Sequence, residues 1–377
     1  MRASTTIRAL SVTNLDIPLN EPFGIAGGSQ EVAKNLLVTV ELADGTRGYG
    51  EAAPFAAFNG ETQEMARAAV EAARSTVEGA DVREWRSIAQ ALRSAMGPVG
   101  SARCAVETAV LDAFTRRARV PLWAFFGGAS TALETDMTIT TGTVEQAAAA
   151  AQAIRARGIE TIKVKIGSSA GPDGADQALA LDLERVSAVR DAAPDAPLIL
   201  DGNCGYSADG ALQLLAMLQA RGIRPALFEQ PVPKDDIAGL RQVAQWGGVQ
   251  VAADESASSL AQVLTLVKER AAHVINIKLM KCGIVEALDI AAVARAAGLG
   301  LMIGGMVEST LAMTVSACFA AGLGGFSFVD LDTPLFMADI PLKGGMVYAG
   351  GRIELTQIEA GRFRRVLNFR ACRVEFY

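Results

Sequence analysis

The sequence predicts an α/β fold: a (β/α)8-type TIM barrel that follows an α+β N-terminal capping domain. Half of the 377 residues are hydrophobic, which is enough for a large core. After Gly128, short apolar runs alternate with amphipathic helical stretches. Eight such runs follow one another, and their ends lie 24 to 36 residues apart, the length of one strand and one helix. The runs end at Thr138, Lys165, Asp201, Glu229, Asp254, Lys278, Gly304 and Asp330.

The segments before and after the barrel have a different pattern. Thr6–Leu19 and Asn35–Gly50 alternate apolar and polar residues, with Asp44-Gly45 as a turn signal, so they predict a small antiparallel sheet. Glu61–Arg117 has helical apolar spacing. The C-terminal segment is Arg-rich and is expected to return to the capping domain and complete it. The predicted units are residues 1–128 (cap), 129–348 (barrel) and 349–377 (C-terminal segment).

Helix starts inside the barrel are predicted from capping residues. Thr143, followed three residues later by Gln146, has the pattern of a capping box. Ser207 and Ser256 are further candidate N-caps.

Charge and composition exclude several classes of function. The net charge of −6 disfavours a nucleic-acid or membrane-surface partner. His273 is the only histidine, so a multi-histidine zinc site is excluded and acid–base chemistry falls to Asp, Glu, Lys, Tyr or Cys. It precedes the sixth strand and so lies at the N-terminal face of the barrel, the face that contributes to stability and not to catalysis. We therefore expect a packing or surface role.

Location is predicted from cysteines and hydropathy. The five cysteines form no C-x-x-C pair and the N-terminus has no apolar signal core, so a reduced, cytoplasmic protein is expected. The uncharged run Ser309–Val329 is as long as a membrane span, but its Gly, Ser and Thr content favours a buried helix followed by a strand.

Lysines are scarce and unevenly placed. Only eight of the 35 basic residues are lysine, and two of them alternate with apolar residues in the second strand, at Lys163 and Lys165. Both therefore face the barrel lumen, where crowding should lower the proton affinity of at least one and suit it to act as a base. An edge strand with solvated lysines is the alternative. The sixth strand ends at Lys278, opposite Lys165 across the barrel; Lys281, one step into the loop, is expected to be structural or solvated.

Acidic residues end three successive strands, at Asp201, Glu229 and Asp254. Adjacent strands lie about 5 Å apart, so the three carboxylates converge and need a cation. Oxygen ligands of this kind suit Mg²⁺ or Mn²⁺ rather than zinc. Alternatively, each acid caps the following helix. Asp330 and Asp332, at the eighth strand, can bind a cationic group such as a substrate ammonium, or serve as loop charges.

The chain resembles the muconate-lactonizing-enzyme subgroup of the enolase superfamily, a family with a modified barrel, in six ordered motifs. The motifs are Lys163-x-Lys165, Asp201-x-Asn203, Glu229-Gln230-Pro231, Ala253-Asp254-Glu255-Ser256, Asn276-Ile277-Lys278 and Asp330-Leu331-Asp332. The last resembles the feature that marks the dipeptide epimerases of this family.

The resemblance implies an isomerase, expected to be a homo-oligomer, that inverts the α-carbon of a dipeptide's C-terminal residue by two-base 1,1-proton transfer through a metal-stabilised enediolate. Its implied assignments are as follows: Mg²⁺ on Asp201, Glu229 and Asp254; catalytic bases Lys165 and Lys278 on opposite faces of the α-carbon; Lys163 on the substrate carboxylate; Asp330 and Asp332 on the α-ammonium; and Thr138 and Met306 lining the site.

Three other functions stay open at this point. One is a muconate-type cycloisomerase or an o-succinylbenzoate-synthase-type dehydratase, although two acids would repel a dicarboxylate. The others are a Schiff-base aldolase and a non-catalytic binding protein. The family's Ala-Glu epimerases carry a basic residue in an N-terminal loop, whereas Phe23–Ser29 here has none. A neutral, apolar or basic substrate side chain is therefore open.

Overall fold

The computed structural model describes residues 4–25, 28–167, 175–358 and 364–365. Its N-terminal part is an antiparallel sheet in the order β1-β2-β3, covered by helices. The strands are β1 (Ile7–Ile25), β2 (Gly28–Leu42) and β3 (Arg47–Ala52). The helices are α1 (Ala56–Asn59), α2 (Gln63–Ala72), α3 (Arg74–Val77), α4 (Trp85–Ala95), α5 (Gly100–Ala118) and α6 (Leu122–Phe125), with a 3₁₀ turn at Val82–Glu84.

The predicted hairpin joins β2 and β3. Gly45 has φ of +86°, a conformation that glycine adopts without steric cost, and the Thr46 amide donates to Asp44 Oδ1 at 3.0 Å. Helix α5 packs so closely on β3 that a Cβ at Gly50 would lie 2.0 Å from the Ala105 carbonyl oxygen. The α+β prediction for this part is confirmed.

Eight parallel strands form the second sheet, in sequential order from β5 to β12. They are β5 (Met137–Ile139), β6 (Ile162–Lys165), β7 (Leu198–Asp201), β8 (Leu227–Glu229), β9 (Val251–Ala253), β10 (Val274–Ile277), β11 (Gly300–Ile303) and β12 (Phe326–Val329). Each predicted run end lies within one residue of an observed strand end, so the eight-unit arithmetic is confirmed. Strands β5 to β11 are almost wholly buried because helices cover their outer face, whereas β12 is only partly buried.

Helices follow the strands of the barrel. They are α7 (Val144–Ala156), α8 (Ala175–Ala192), α9 (Ala208–Ala220), α10 (Ile237–Trp246), α11 (Leu260–Glu269), α12 (Leu279–Cys282), α13 (Ile284–Ala296) and α14 (Thr310–Leu323). Five of them, α7, α9, α10, α11 and α14, start at a capping side chain. Thr143 forms the predicted capping box and Ser207 caps α9. The expectation for Ser256 is wrong, since Ser259 caps α11. The Ser256 hydroxyl instead bonds the Lys234 carbonyl and the Gln230 side chain.

The eighth unit departs from the others. A 3₁₀ turn, Thr333–Phe336, follows β12 where the earlier strands are followed by α-helices. The first strand, β5, and the last strand, β12, meet at a seam that is held by individual hydrogen bonds. The Asp136 amide donates to the Val329 carbonyl at 2.9 Å, and the Thr138 amide donates to Asp332 Oδ2 at 2.7 Å. The Asp332 side chain thereby helps to close the barrel.

The described part of the C-terminal segment pairs beside the start of the barrel. Strand β15 (Arg352–Glu354) lies between β14 (Val347–Ala349) and β4 (Ala132–Glu134), and β13 (Leu342–Lys343) pairs with β16 (Arg364–Arg365). Most of the Arg-rich end lies outside the described residues, so its packing on the capping domain stays a prediction.

Other sequence expectations concern hydropathy and histidine. No described helix combines the length and apolar character of a membrane span. The uncharged run becomes buried helix α14 followed by β12, as predicted. His273 lies just before β10, where its Nδ1 accepts a hydrogen bond from the Val251 amide at 3.1 Å. The residue is exposed, so it has the surface role that was one of the two expected for it.

Candidate active site

The two lysines of β6 lie inside the barrel. Lys163 and Lys165 are 1% and 5% exposed. Lys163 Nζ lies 2.9 Å from Asp201, 2.8 Å from Glu229 and 2.6 Å from Asp330. Lys165 Nζ lies 2.6 Å from Asp201. The alternative of an edge strand with solvated lysines is therefore wrong, because β5 and β7 flank β6 and carboxylates surround both ammonium groups.

The three strand-end acids lie at one level of the barrel and have no solvent exposure. In the β6–β7–β8 ladder, Lys165 pairs in register with Asp201, and Asp201 with Glu229. Glu229 Oε1 accepts from the side-chain amide Nδ2 of Asn276 at 2.7 Å. Asp254 follows β9 directly. Its Oδ2 lies 2.8 Å from Lys278 Nζ, and its Oδ1 lies 2.8 Å from Lys281 Nζ. The acids do not cap the following helices; all three side chains are buried inside the barrel, where lysines contact each of them.

The carboxylates affect one another and the lysines electrostatically. Burial acts to raise the pKa of Asp201, but Lys163 and Lys165 outweigh it and lower the pKa to about 2. Glu229 has the opposite balance: burial and the Asp201 charge raise its pKa to about 7. Burial acts to lower the pKa of Lys278, but Asp254 and Glu229 hold it above its usual value. Lys163 does not have the lowered pKa that crowding predicted for at least one of the two β6 lysines: burial acts to lower its pKa, but Asp201, Asp330 and Glu229 raise it well above the usual value.

The donor set of the three acids fits a divalent cation. Asp201, Glu229 and Asp254 offer only oxygen atoms, the ligands that Mg²⁺ prefers. Glu229 Oε2 and Asp254 Oδ2 are buried and accept no hydrogen bond, although a lysine lies near each. Each of these two oxygens contacts a lysine ammonium group at 2.8 Å, so a metal ion bound there would take the place of that contact.

Lys278 and Lys281 differ in role. Lys278 Nζ lies over the ring of Phe58, 4.9 Å from its centroid, and faces the cavity described below. Lys281 is buried, and its Nζ donates at 2.8 Å to Asp254 Oδ1, to the Asp254 carbonyl and to the Asn276 carbonyl. The structural expectation for Lys281 is correct, since it anchors the backbone that carries Asp254.

A second acidic cluster lies at the seam between β5 and β12. One carboxylate oxygen from each of Asp136, Asp330 and Asp332 lies within 4.8 Å of the other two, close enough to hold one cation. Sequence reasoning missed Asp136. It precedes Thr138 by two positions, so strand alternation places both on the lumen face, and that parity could have identified it.

One cavity reaches Lys165, Lys278, Asp330 and Asp332, whereas Lys163, Asp201, Glu229, Asp254 and Asp136 do not line it. Its empty space, part of which is open solvent, is about 390 Å³. Its lining comprises Phe23, Phe55, Phe58, Thr138, Lys165, Asn203, Lys278, Gly305, Met306, Asp330, Asp332 and Thr333. Six of the predicted site residues therefore line it: Thr138, Lys165, Lys278, Met306, Asp330 and Asp332. The three phenylalanines, all from the capping domain, were not predicted.

Strained backbone lies directly after two of the acid-bearing strands. Asn203, Cys204 and Gln230 have φ values of +38°, +66° and +33°. Non-glycine residues rarely adopt such angles, and they do so mainly where surrounding contacts impose them at functional sites. The Gln230 side chain accepts from the Asp254 and Ser256 amides at 2.9 and 3.1 Å. It therefore ties the end of β8 to the loop after β9.

Family models match nearly the whole chain. The description "Mandelate racemase / muconate lactonizing enzyme, N-terminal domain" matches residues 7–127, and "Enolase C-terminal domain-like" matches residues 145–361. The motifs quoted above thus resemble a family that the whole-chain comparison also finds.

Individual relatives are similar over their full length. An aromatic dipeptide epimerase of Herpetosiphon aurantiacus is 55% identical, over 94% of this chain and 97% of that protein. The crystal structure of a mandelate racemase/muconate lactonizing enzyme from Roseiflexus sp. is 65% identical, with a TM-score of 0.91 and coverage of 97% and 99%. A dipeptide epimerase from Enterococcus faecalis, solved with Mg and L-Leu-L-Tyr, is 30% identical, with a TM-score of 0.89 and coverage of 95% and 99%.

Proposed function

The chain belongs to the mandelate racemase/muconate lactonizing enzyme family of the enolase superfamily, and from that premise we propose that it is a Mg²⁺-dependent dipeptide epimerase. It is an enzyme of the isomerase class. One observation carries the proposal. Lys165 and Lys278 follow strands four apart in the eight-stranded sheet, so they stand on opposite sides of the barrel, and both line one cavity.

The acids give the substrate its orientation. Asp201, Glu229 and Asp254 would hold Mg²⁺, and the carboxylate of the substrate's C-terminal residue would lie beside it, with Lys163 as a further positive charge. Bound Mg²⁺ supplies positive charge that offsets the negative charge developing on that carboxylate when the α-proton leaves. Asp330 and Asp332, at the other end of the cavity, would receive the α-ammonium of the N-terminal residue.

The lysines would move the proton. With the α-carbon between them, one lysine removes the proton from one face and the other returns a proton to the opposite face, which inverts the centre. The accepting lysine must be uncharged when it acts. Its ion pair, to Asp201 for Lys165 or to Asp254 for Lys278, must therefore loosen as the substrate binds. Thr138 and Met306 would shape the walls.

We further propose that the substrate carries an apolar, aromatic-sized side chain. Phe23, Phe55 and Phe58 bring three rings from the capping domain to the cavity, and no acidic or basic side chain of that domain lines it among the described residues. An apolar wall favours an apolar group because burying a charged one without a partner is costly. The Herpetosiphon relative bears the name of an aromatic dipeptide epimerase.

The cycloisomerase and dehydratase alternatives fit this cavity less well. Their substrates are dicarboxylates, and a second carboxylate would meet Asp330 and Asp332. Loss of activity in Asp332→Ala towards dipeptides alone would separate the two kinds of substrate. A cytoplasmic location and a homo-oligomeric state stay predictions from the sequence.

Isotope exchange tests the proposal. The full chain is incubated with Mg²⁺ and a dipeptide library in D₂O, and mass spectrometry locates the label. We expect one deuterium at the α-carbon of the C-terminal residue, first in dipeptides with apolar or aromatic residues. The double variant Lys165→Ala/Lys278→Ala, purified in parallel, controls for contaminating epimerases. Absence of exchange across the whole library would overturn the proposal.

A further inference from the structure

The acidic cluster at the barrel seam carries more negative charge than the described residues neutralise. Asp330 pairs with Lys163 at 2.6 Å, but that lysine is shared with Asp201 and Glu229. No other ion pair reaches the cluster among the described side chains. Three carboxylates within 4.8 Å of one another thus share part of a single positive charge. Like charges so close together in a buried place require a positively charged ligand or bound protons.

Asp136 is the least satisfied member of the cluster. It is 1% exposed, and neither of its carboxylate oxygens has a hydrogen-bond partner. Asp332 Oδ2 accepts from the Thr138 amide at 2.7 Å, whereas its Oδ1 also has no partner. Buried polar atoms are almost always hydrogen-bonded, so three such oxygens at one point indicate a missing donor. An ammonium group carries three N–H donors and a positive charge, which matches both deficits.

The cavity gives a ligand access to this point from one direction. Asp330 and Asp332 line the cavity, whereas Asp136 does not. Asp136 lies two residues before Thr138 on the same face of β5, nearer the start of the strand and hence deeper in the barrel. A group that enters between Asp330 and Asp332 therefore has Asp136 ahead of it.

We infer that Asp136 forms, with Asp330 and Asp332, a three-carboxylate subsite that selects substrates with a free α-ammonium group. The inference rests on the proposed function for the identity of the substrate, and it adds a residue to the two that the sequence indicated. Asp136 contributes charge and hydrogen-bond acceptors at the closed end of the subsite. It takes no part in proton transfer. The proposed bases, Lys165 and Lys278, lie at the carboxyl ends of β6 and β10, whereas Asp136 lies before the start of β5.

Binding of two amides tests the subsite without catalysis. L-Phenylalaninamide carries an ammonium and no carboxylate, and N-acetyl-L-phenylalaninamide lacks the ammonium. Calorimetric titration of the full chain should show tighter binding of the first compound. In Asp136→Asn, which keeps the shape and removes the charge, this preference should fall roughly tenfold to a hundredfold, the range for hydrogen bonds to charged groups.

The kinetic counterpart compares an exchange-competent dipeptide with its N-acetyl form. Asp136→Asn should raise KM for the dipeptide far more than it lowers kcat, and should narrow the ratio of kcat/KM between the two forms. A merely structural effect would lower kcat/KM for the dipeptide and for its N-acetyl form by the same factor. Asp112→Asn is the matched control, since Asp112 is a buried acid of the capping domain and its loss should leave the ratio unchanged.

The outcomes separate the two proposals. If the wild-type chain exchanges no dipeptide but binds L-phenylalaninamide in an Asp136-dependent manner, the subsite stands and the epimerase proposal falls. Asp136→Thr, with a residue suited to strands, serves if the asparagine variant does not fold. The inference is overturned if the wild type binds both amides equally, or if a folded Asp136 variant keeps the wild-type preference.

Discussion

The guanidinium of Arg185 holds the backbone of Lys165. Arg185 Nη1 donates to the Lys165 carbonyl oxygen at 2.7 Å, and Nη2 donates to the Thr140 carbonyl at the same distance. Asp182, one helical turn earlier on α8, accepts from the Gly167 amide at 2.9 Å and from the Tyr206 hydroxyl at 2.6 Å. Arg185 is 1% exposed. A buried cation is costly unless it is paired and hydrogen-bonded. Here the hydrogen bonds of Arg185 fix the strand end that carries a proposed base.

Replacing Arg185 should impair one face of the reaction. In Arg185→Met the Lys165 carbonyl loses its donor, so the Lys165 ammonium should lose its position while Lys278 keeps its own. Initial α-proton exchange, measured separately for the two epimers in D₂O, should fall more for the epimer that depends on Lys165. Arg190→Met, on the same helix and bonded to Pro194, is the control. Equal losses for both epimers would contradict a positioning role.

The two lysines should be separable by the same measurement. Lys165→Ala and Lys278→Ala should each lower epimerisation by roughly 10²- to 10⁴-fold, the range for loss of an acid–base group. Each variant should still exchange the α-proton of one epimer, and the two variants should retain opposite epimers. Retention of the same epimer by both variants would exclude lysines on opposite faces.

Exchange activity should require Mg²⁺, and Mg²⁺ binding should require Glu229. Treatment with EDTA should abolish exchange, and Mg²⁺ should restore it, because the three acids would otherwise pair only with lysines. Glu229→Gln removes one of the proposed ligands, and we expect weaker Mg²⁺ binding by calorimetry, by at least the roughly 10- to 100-fold that loss of a residue hydrogen-bonded to a metal ligand costs. Gln242→Glu, on the outer helix α10, is a control that should leave Mg²⁺ binding unchanged. Full activity after exhaustive chelation would contradict the metal assignment.

The phenyl ring of Phe58 should contribute to substrate choice. Phe58→Leu keeps an apolar side chain but removes the ring, so we expect kcat/KM for a dipeptide with a C-terminal Phe to fall about 2- to 12-fold more than for L-Ala-L-Ala, the range for an aromatic pair. Comparing the two substrates cancels any effect of the Phe58 contact on Lys278. An unchanged ratio would show that this ring does not contact the substrate side chain.

Stability should depend on pH through Glu107, a buried residue of α5 in the capping domain. Burial raises its pKa to about 7 although the Val285 amide donates to it. The folded state therefore binds the proton more tightly than the unfolded state does. The resulting stability is fully present below the unfolded pKa of about 4.3 and is lost as the pH rises through 7.

Urea unfolding of Glu107→Gln measures this effect. The variant should lose the part of the pH dependence that Glu107 contributes, on the order of 3 kcal/mol between pH 5 and pH 8, and should be the more stable protein at pH 8. Parallel curves of unfolding free energy against pH for the variant and the wild type would contradict it.

The sequence by itself determined the barrel, its eight strand ends and the chemical character of those ends. Strand length and apolar periodicity are local properties, and parallel strands necessarily bring their carboxyl ends to one edge. Lys165, Asp201 and Glu229 could therefore be assigned to one site before any distance was known. The capping box at Thr143 was predictable for the same reason, because its bonds join residues three apart.

Only the tertiary structure decided which groups meet across elements. Lys163 contacts carboxylates of three other strands, and Asp136 meets Asp332 only because the first and last strands come together at the seam. The three phenylalanines reach the cavity through packing of one domain on another, which no local pattern encodes. Ser256 was misassigned as a helix cap because its hydroxyl is hydrogen-bonded to Gln230, a residue distant in sequence. Such contacts depend on barrel curvature and domain packing, so their energies appear only when the whole chain is folded.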